Sequence, residues 1–145
     1  MKDKAHDAIL AIGDREVGRL RAMSEPGVSR APSSGKWCAK EVLGHLIDSA
    51  GNNAQRFVRA QLSAELAFPG YEQDRWVEVQ DYAHEDWKGL VELWSALNAH
   101  LAHVVSRISA AKMATPCRIG GKDPVSLAAV IESYITHIEH HLAQL

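Results

Sequence analysis

His137 and His141 stand four residues apart in Tyr134-Ile-Thr-His-Ile-Glu-His-His-Leu, and a third imidazole, His45, lies far upstream in Gly44-His45-Leu46. On an α-helix a spacing of four places two side chains one turn apart on the same face, within reach of a single ion. Zn²⁺, Ni²⁺ and Fe²⁺ all accept neutral imidazole nitrogens, and catalytic zinc sites take three protein ligands and leave one position open. Eight histidines in 145 residues also produce such a pair by chance. The alternative is therefore a set of imidazoles that only hydrogen-bond to their neighbours.

Positioning these groups falls to two helices. The last begins after Ser126, a natural N-cap, and its apolar positions are Leu127, Val130, Ile131, Tyr134, Ile138, Leu142 and Leu145. His141 falls inside that apolar arc and His137 at its edge, while His140 and Gln144 turn towards water. An inward-facing imidazole needs a hydrogen-bond partner or a metal.

His45 belongs to a helix that starts around Trp37 to Lys40 and runs to about Leu62. Leu43, Leu46, Ile47, Ala50, Ala54, Phe57 and Val58 form its apolar arc. Opposite lies a polar stripe of His45, Ser49, Asn52, Arg56 and Arg59, with Asp48 on its shoulder. Only a fold that turns this edge towards the last helix completes a three-histidine site; otherwise the stripe is a solvated face. Ser49 and Asn52 are candidates to support the site. Arg56 either holds a substrate carboxylate or phosphate or lies in solvent, and Asp48 is expected to take a surface role.

The remaining segments fill out the same architecture. A first helix is expected from about Asp3 to Met23, with Ile9, Ile12, Val17 and Leu20 at helical intervals, followed by a turn-rich connector from Ser24 to Gly35. The stretch Ala67 to Trp76 is a long excursion in which Tyr71 and Trp76 either cap a pocket or pack the loop down. A helix from Glu85 to Ile108 carries Trp87, Leu90, Trp94, Leu101 and Val105. Asn98 lies in the middle of its apolar face, so its buried amide must find partners. His100 and His103 point the other way and are excluded as ligands. Thr115 to Pro124 holds two prolines around Gly120-Gly121 and reads as a short extended or hairpin-like turn. Four amphipathic helices and no strand predict an all-α four-helix bundle, with a long connection between the second and third helices and a short extended turn before the fourth.

Length predicts one domain over residues 1–145. A net charge of −2, with scattered cations, excludes an electrostatic footprint for nucleic acid. No apolar run is long enough to span a membrane and no signal segment is evident, so a cytoplasmic protein is expected. Cys38 and Cys117 have no metal-finger spacing and are expected to be small buried side chains rather than a disulfide or nucleophile.

The segment Trp37-Cys-Ala-Lys-Glu-Val-Leu-Gly-His-Leu-Ile-Asp-Ser-Ala-Gly-Asn-Asn-Ala-Gln-Arg-Phe resembles the DinB-like superfamily of four-helix-bundle proteins, as does the stretch Tyr134 to Leu142. The resemblance extends to the Phe68-Pro69-Gly70-Tyr71 loop and the Pro116 to Gly121 turn. It implies that His45, His137 and His141 bind a divalent metal (Zn, Ni or Fe). It also implies a metal-dependent enzyme acting on a small-molecule substrate, in which water or a low-molecular-weight thiol is activated for hydrolysis or thiol transfer. Catalytic residues are open, with Asn52, Ser49, Asn98 and Arg56 as candidates. A homodimer is expected, and a non-catalytic, stress-related metal-binding or interaction module is the alternative function.

Overall fold

The apolar repeat at threes and fours produces four long helices, α1 (Lys2–Arg21), α3 (Ala39–Ala60), α5 (Trp87–Ser106) and α7 (Leu127–Leu142). Short helices α2 (Glu25–Val28), α4 (Gln73–Gln80) and α6 (Ala110–Met113) lie in the connections, and a single 3₁₀ turn spans Tyr82–His84. This is a computed structural model, and it describes residues 2–145.

Local signals set the helix starts. Ser126 caps α7 by accepting from the Ala129 N–H, and Asp86 caps α5 by accepting from the Gly89 N–H. At the start of α3 the Glu41 carboxylate accepts the Cys38 N–H at 3.1 Å. Trp94, Phe57, Leu46, Leu101, Ile131 and Ile138 are among the largest fully buried side chains. Each contributes about 1.5–3 kcal/mol relative to exposure, which holds the helices together without any cross-link. Cys38 and Cys117 are both free and buried, as expected.

One expectation of the sequence is corrected. Three short strands are present: β1 (Leu66–Phe68), β2 (Pro116–Ile119) and β3 (Val125–Ser126). The hairpin-like turn is β2 and β3, paired antiparallel, with Gly120 and Gly121 at φ 62° and 74° where a side chain would strain the backbone. β1, which follows α3, joins β2 in parallel, with Leu66 opposite Cys117 and Phe68 opposite Ile119.

The small sheet has an architectural effect. β1 continues from the C-terminal end of α3, and β3 runs directly into the N-terminal end of α7, so these two ends are fastened together. The beginning of α3 therefore meets the end of α7. At that end Arg19 of α1 donates from Nη2 to the Leu142 carbonyl at 3.2 Å, and Glu16 holds the same guanidinium at 2.6 Å. A cation on the last carbonyls of a helix also complements its dipole.

Candidate metal centre

The antiparallel pairing of α3 and α7 puts His45, in the second turn of the former, opposite His137 and His141 in the last turns of the latter. One ligand atom from each of the three lies within 4.8 Å of the others. The Nε2 atoms of His45 and His137 face each other at 2.9 Å. The rings meet edge to face, with centroids 4.5 to 4.8 Å apart for all three pairs.

The state of the imidazoles suits ligation. His45 is only 1% exposed. Burial, assisted by His137 and His141 as neighbouring would-be cations, lowers its pKa from 6.5 to about 4. His137 is lowered to about 4 by burial and by His141 and His140. Both are therefore neutral at pH 7, the form that binds metal. His141 Nδ1 lies 3.0 Å from the Gln144 Oε1, which, with the proton assigned to Nδ1, leaves Nε2 as the lone-pair donor. The Nδ1 atoms of His45 and His137 are buried without a partner among the described residues. Three imidazoles converging, one buried and two half-buried, fit a divalent cation, which all three can ligate at once, better than a hydrogen bond between the His45 and His137 Nε2 atoms, which would leave His141 outside the pair.

The cluster lies between two hollows. On one side a cavity of about 600 Å³ is lined by His45, His137, Ser49, Asn53, Arg56 and Tyr71, with the β2–β3 turn closing its far wall. On the other, a hollow of about 540 Å³ reaches His141, Trp37 and Lys36 between the connector and the end of α7. Trp37 packs against His45 with ring centroids 5.2 Å apart.

The sequence-based candidates divide. Ser49 and Arg56 line the larger cavity, so part of the polar stripe of α3 faces inward rather than into solvent, while Arg59 is exposed. Asn52 does not: it donates to the Asp48 carbonyl at 2.9 Å and lines a separate hollow beside Gln80 and Trp76. The position that serves the cavity is Asn53, buried and donating to the Ser49 carbonyl at 2.8 Å. One residue of helix is 100°, enough to exchange the two faces. Asn98 stays in the core, where it accepts the Tyr134 hydroxyl and donates to the Trp94 carbonyl, and so reaches the cavity only through Tyr134. His100 and His103 are exposed, as expected.

Asp48 is the clearest reversal. Expected at the surface, it is 5% exposed and accepts hydrogen bonds from the Tyr82 hydroxyl and the Gln80 amide, both at 2.8 Å. Burial raises its pKa against the lowering effect of those two bonds. It makes no hydrogen bond to His45, so it neither orients that ring nor faces the cavity. Tyr71, half-buried, lines the cavity and rests against Trp76 with centroids 5.0 Å apart, while Trp76 itself is 40% exposed. Tyr71 is thus the capping residue and Trp76 its outer support.

The fold has counterparts among known proteins. A chain from Oceanobacillus iheyensis, named as an inferred metal-dependent hydrolase, is 20% identical over 128 residues, covering 87% of this chain and 72% of its own. The solved structure of YfiT from Bacillus subtilis superposes with a TM-score of 0.80 at 21% identity, covering 98% of this chain and 82% of that one. YfiT is described as an inferred metal-dependent hydrolase with an unusual four-helix bundle topology, and the likeness shows that the present chain has the same fold. Residues 13–145 match the family model of the DinB superfamily, and with that match over most of its length the chain belongs to this superfamily.

Proposed function

We propose that the protein is a metal-dependent hydrolase of small molecules, with His45, His137 and His141 as the ligands of one divalent ion. The observation that carries this reading is the convergence of three imidazole nitrogens within 4.8 Å at the wall of a cavity of about 600 Å³. The inferred hydrolase function of its two relatives supports it. When bound, a divalent ion of this ligand type supplies Lewis acidity, enough to ionise water or a thiol near neutral pH.

The chain's own residues do the rest. Neutral His45 and His137 present lone pairs without competition from protons at pH 7. Ser49 and Asn53 offer polar contacts along the cavity wall, and Tyr71 and the β2–β3 turn form its other sides. The family resemblance leaves water and a low-molecular-weight thiol open as the nucleophile, and the same cavity has room for either.

Elemental analysis of the purified full chain beside His45→Ala and His141→Ala tests the site: one equivalent of divalent metal is expected in the parent and little in either variant. Turnover is then screened on esters and amides, with and without added thiol. Metal retained by both variants overturns the ligand assignment. Stoichiometric metal with no turnover across the screen overturns the enzyme and leaves a metal-stabilised interaction module.

A further inference from the structure

The larger cavity holds two cations, Arg56 and Lys122, and no carboxylate among its lining residues. Arg56 has no hydrogen-bond or ion-pair partner among the described residues, and its Nε is buried and unsatisfied. Its guanidinium lies over the Phe68 ring, 5.5 Å from the centroid. Burial lowers its pKa, opposed only by Tyr71. The Nε–H has lost water and gained no partner, which is costly, while the terminal nitrogens of the half-buried guanidinium have no protein partner and stay accessible.

We infer that Arg56 is the anchor for an anionic group of the substrate, a carboxylate or phosphate received by its planar donor fork, with Lys122 at the cavity rim adding charge. The guanidinium geometry matches either anion in bidentate fashion. Arg56 follows His45 by eleven residues, about 16 Å of helix at 1.5 Å per residue, and helical side chains lean back towards the N-terminus. Both side chains lean the same way and Arg is only the longer by a few ångströms, so the anion and the histidine cluster are separated by roughly 10–15 Å. The substrate class is an elongated molecule, charged at one end and reacting at the other. The inference rests on the hydrolase reading only for what happens at the histidine end.

The test titrates succinate, inorganic phosphate and uncharged succinamide into the full chain, metal-loaded and in parallel chelator-stripped. Binding is read by calorimetry in the parent and in the variants, and in the parent the Arg56 Nε–H resonance, identified by its loss in Arg56→Gln, is followed by NMR to place the anion. Saturable displacement by succinate or phosphate but not succinamide is expected, with affinity at least tenfold weaker in Arg56→Gln and partly kept in Arg56→Lys. The tighter of the two anions names the group. No displacement by either anion, equal binding of succinamide, or Arg56→Gln binding like the parent overturns the anchor. Because the stripped protein reports on Arg56 alone, failure here leaves the metal assignment standing, and loss of metal in His45→Ala leaves the anion titration intact.

Discussion

The ring of Tyr82 lies flat against Gly44, filling the space a Cβ at that position would occupy. Its hydroxyl donates to Asp48, four residues further along α3, so the ring spans one helical turn and cannot swing aside without breaking a buried hydrogen bond. Gly44 immediately precedes His45. Gly44→Ala is thus expected to destabilise by about 1–3 kcal/mol through overpacking and to weaken metal binding by moving His45. Thermal melts and metal titration check both, and an unchanged melt would show that the Tyr82 ring yields freely.

Metal removal should be visible in stability. An ion present at a hundredfold its Kd adds about 2.7 kcal/mol, or roughly 5–10 °C in Tm for a chain of this size. Chelation is expected to lower the Tm by that order in the parent and to leave His45→Ala unmoved. Equal melts of the parent with and without chelator, metal loss having been verified, would contradict a site that stabilises the bundle.

Acid should act on the same residues. In the metal-free protein the folded-state pKa values of His45 and His137 are lowered from 6.5 to about 4, so between those values the unfolded chain binds more protons. The stability they confer is complete above pH 6.5 and lost as pH falls towards 4. Asp48 works in the opposite sense, since its raised pKa lets the native state take up a proton first on acidification, but it is one group against two. A metal-free Tm clearly lower at pH 4.5 than at pH 7 is expected. A flat profile would mean that the two rings are hydrated.

Asn98 and Tyr134 form a buried pair joining α5 to the cavity wall. Tyr134→Phe leaves the Asn98 carbonyl oxygen unpaired and Asn98→Ala leaves the hydroxyl unpaired, each costing about 1–3 kcal/mol. The double variant should cost less than the sum, by about 1 kcal/mol. Strict additivity in chemical denaturation would show that the two side chains are not coupled.

How far the sequence could be read depended on the range of each signal. The four long helices were visible because Leu90, Trp94, Leu101 and their equivalents repeat over many turns. β1 was not, because Leu66, Ala67 and Phe68 are too few to show alternation and their partners lie about fifty residues away. Spacing and a family resemblance pick out the histidine triad, whereas the packing around α3 has no such local signal. A polar stripe reads as solvent until something covers it, and the covering elements are α7, the small sheet and the Tyr82 turn. Asp48 therefore reads as a surface residue and Asn52, rather than Asn53, as the candidate for the site: nothing in the local sequence announces that Asp48 meets Tyr82 or that Asn53 meets Ser49.

The two elements that supply the imidazoles are separated in the chain by 92 residues between His45 and His137. Closing so long a loop is unfavourable until most of the core has formed, so an ion met by the emerging chain finds at most the His137 and His141 pair. Three-point capture would come last in the order of assembly, and a bound metal would mark a molecule whose folding is already complete.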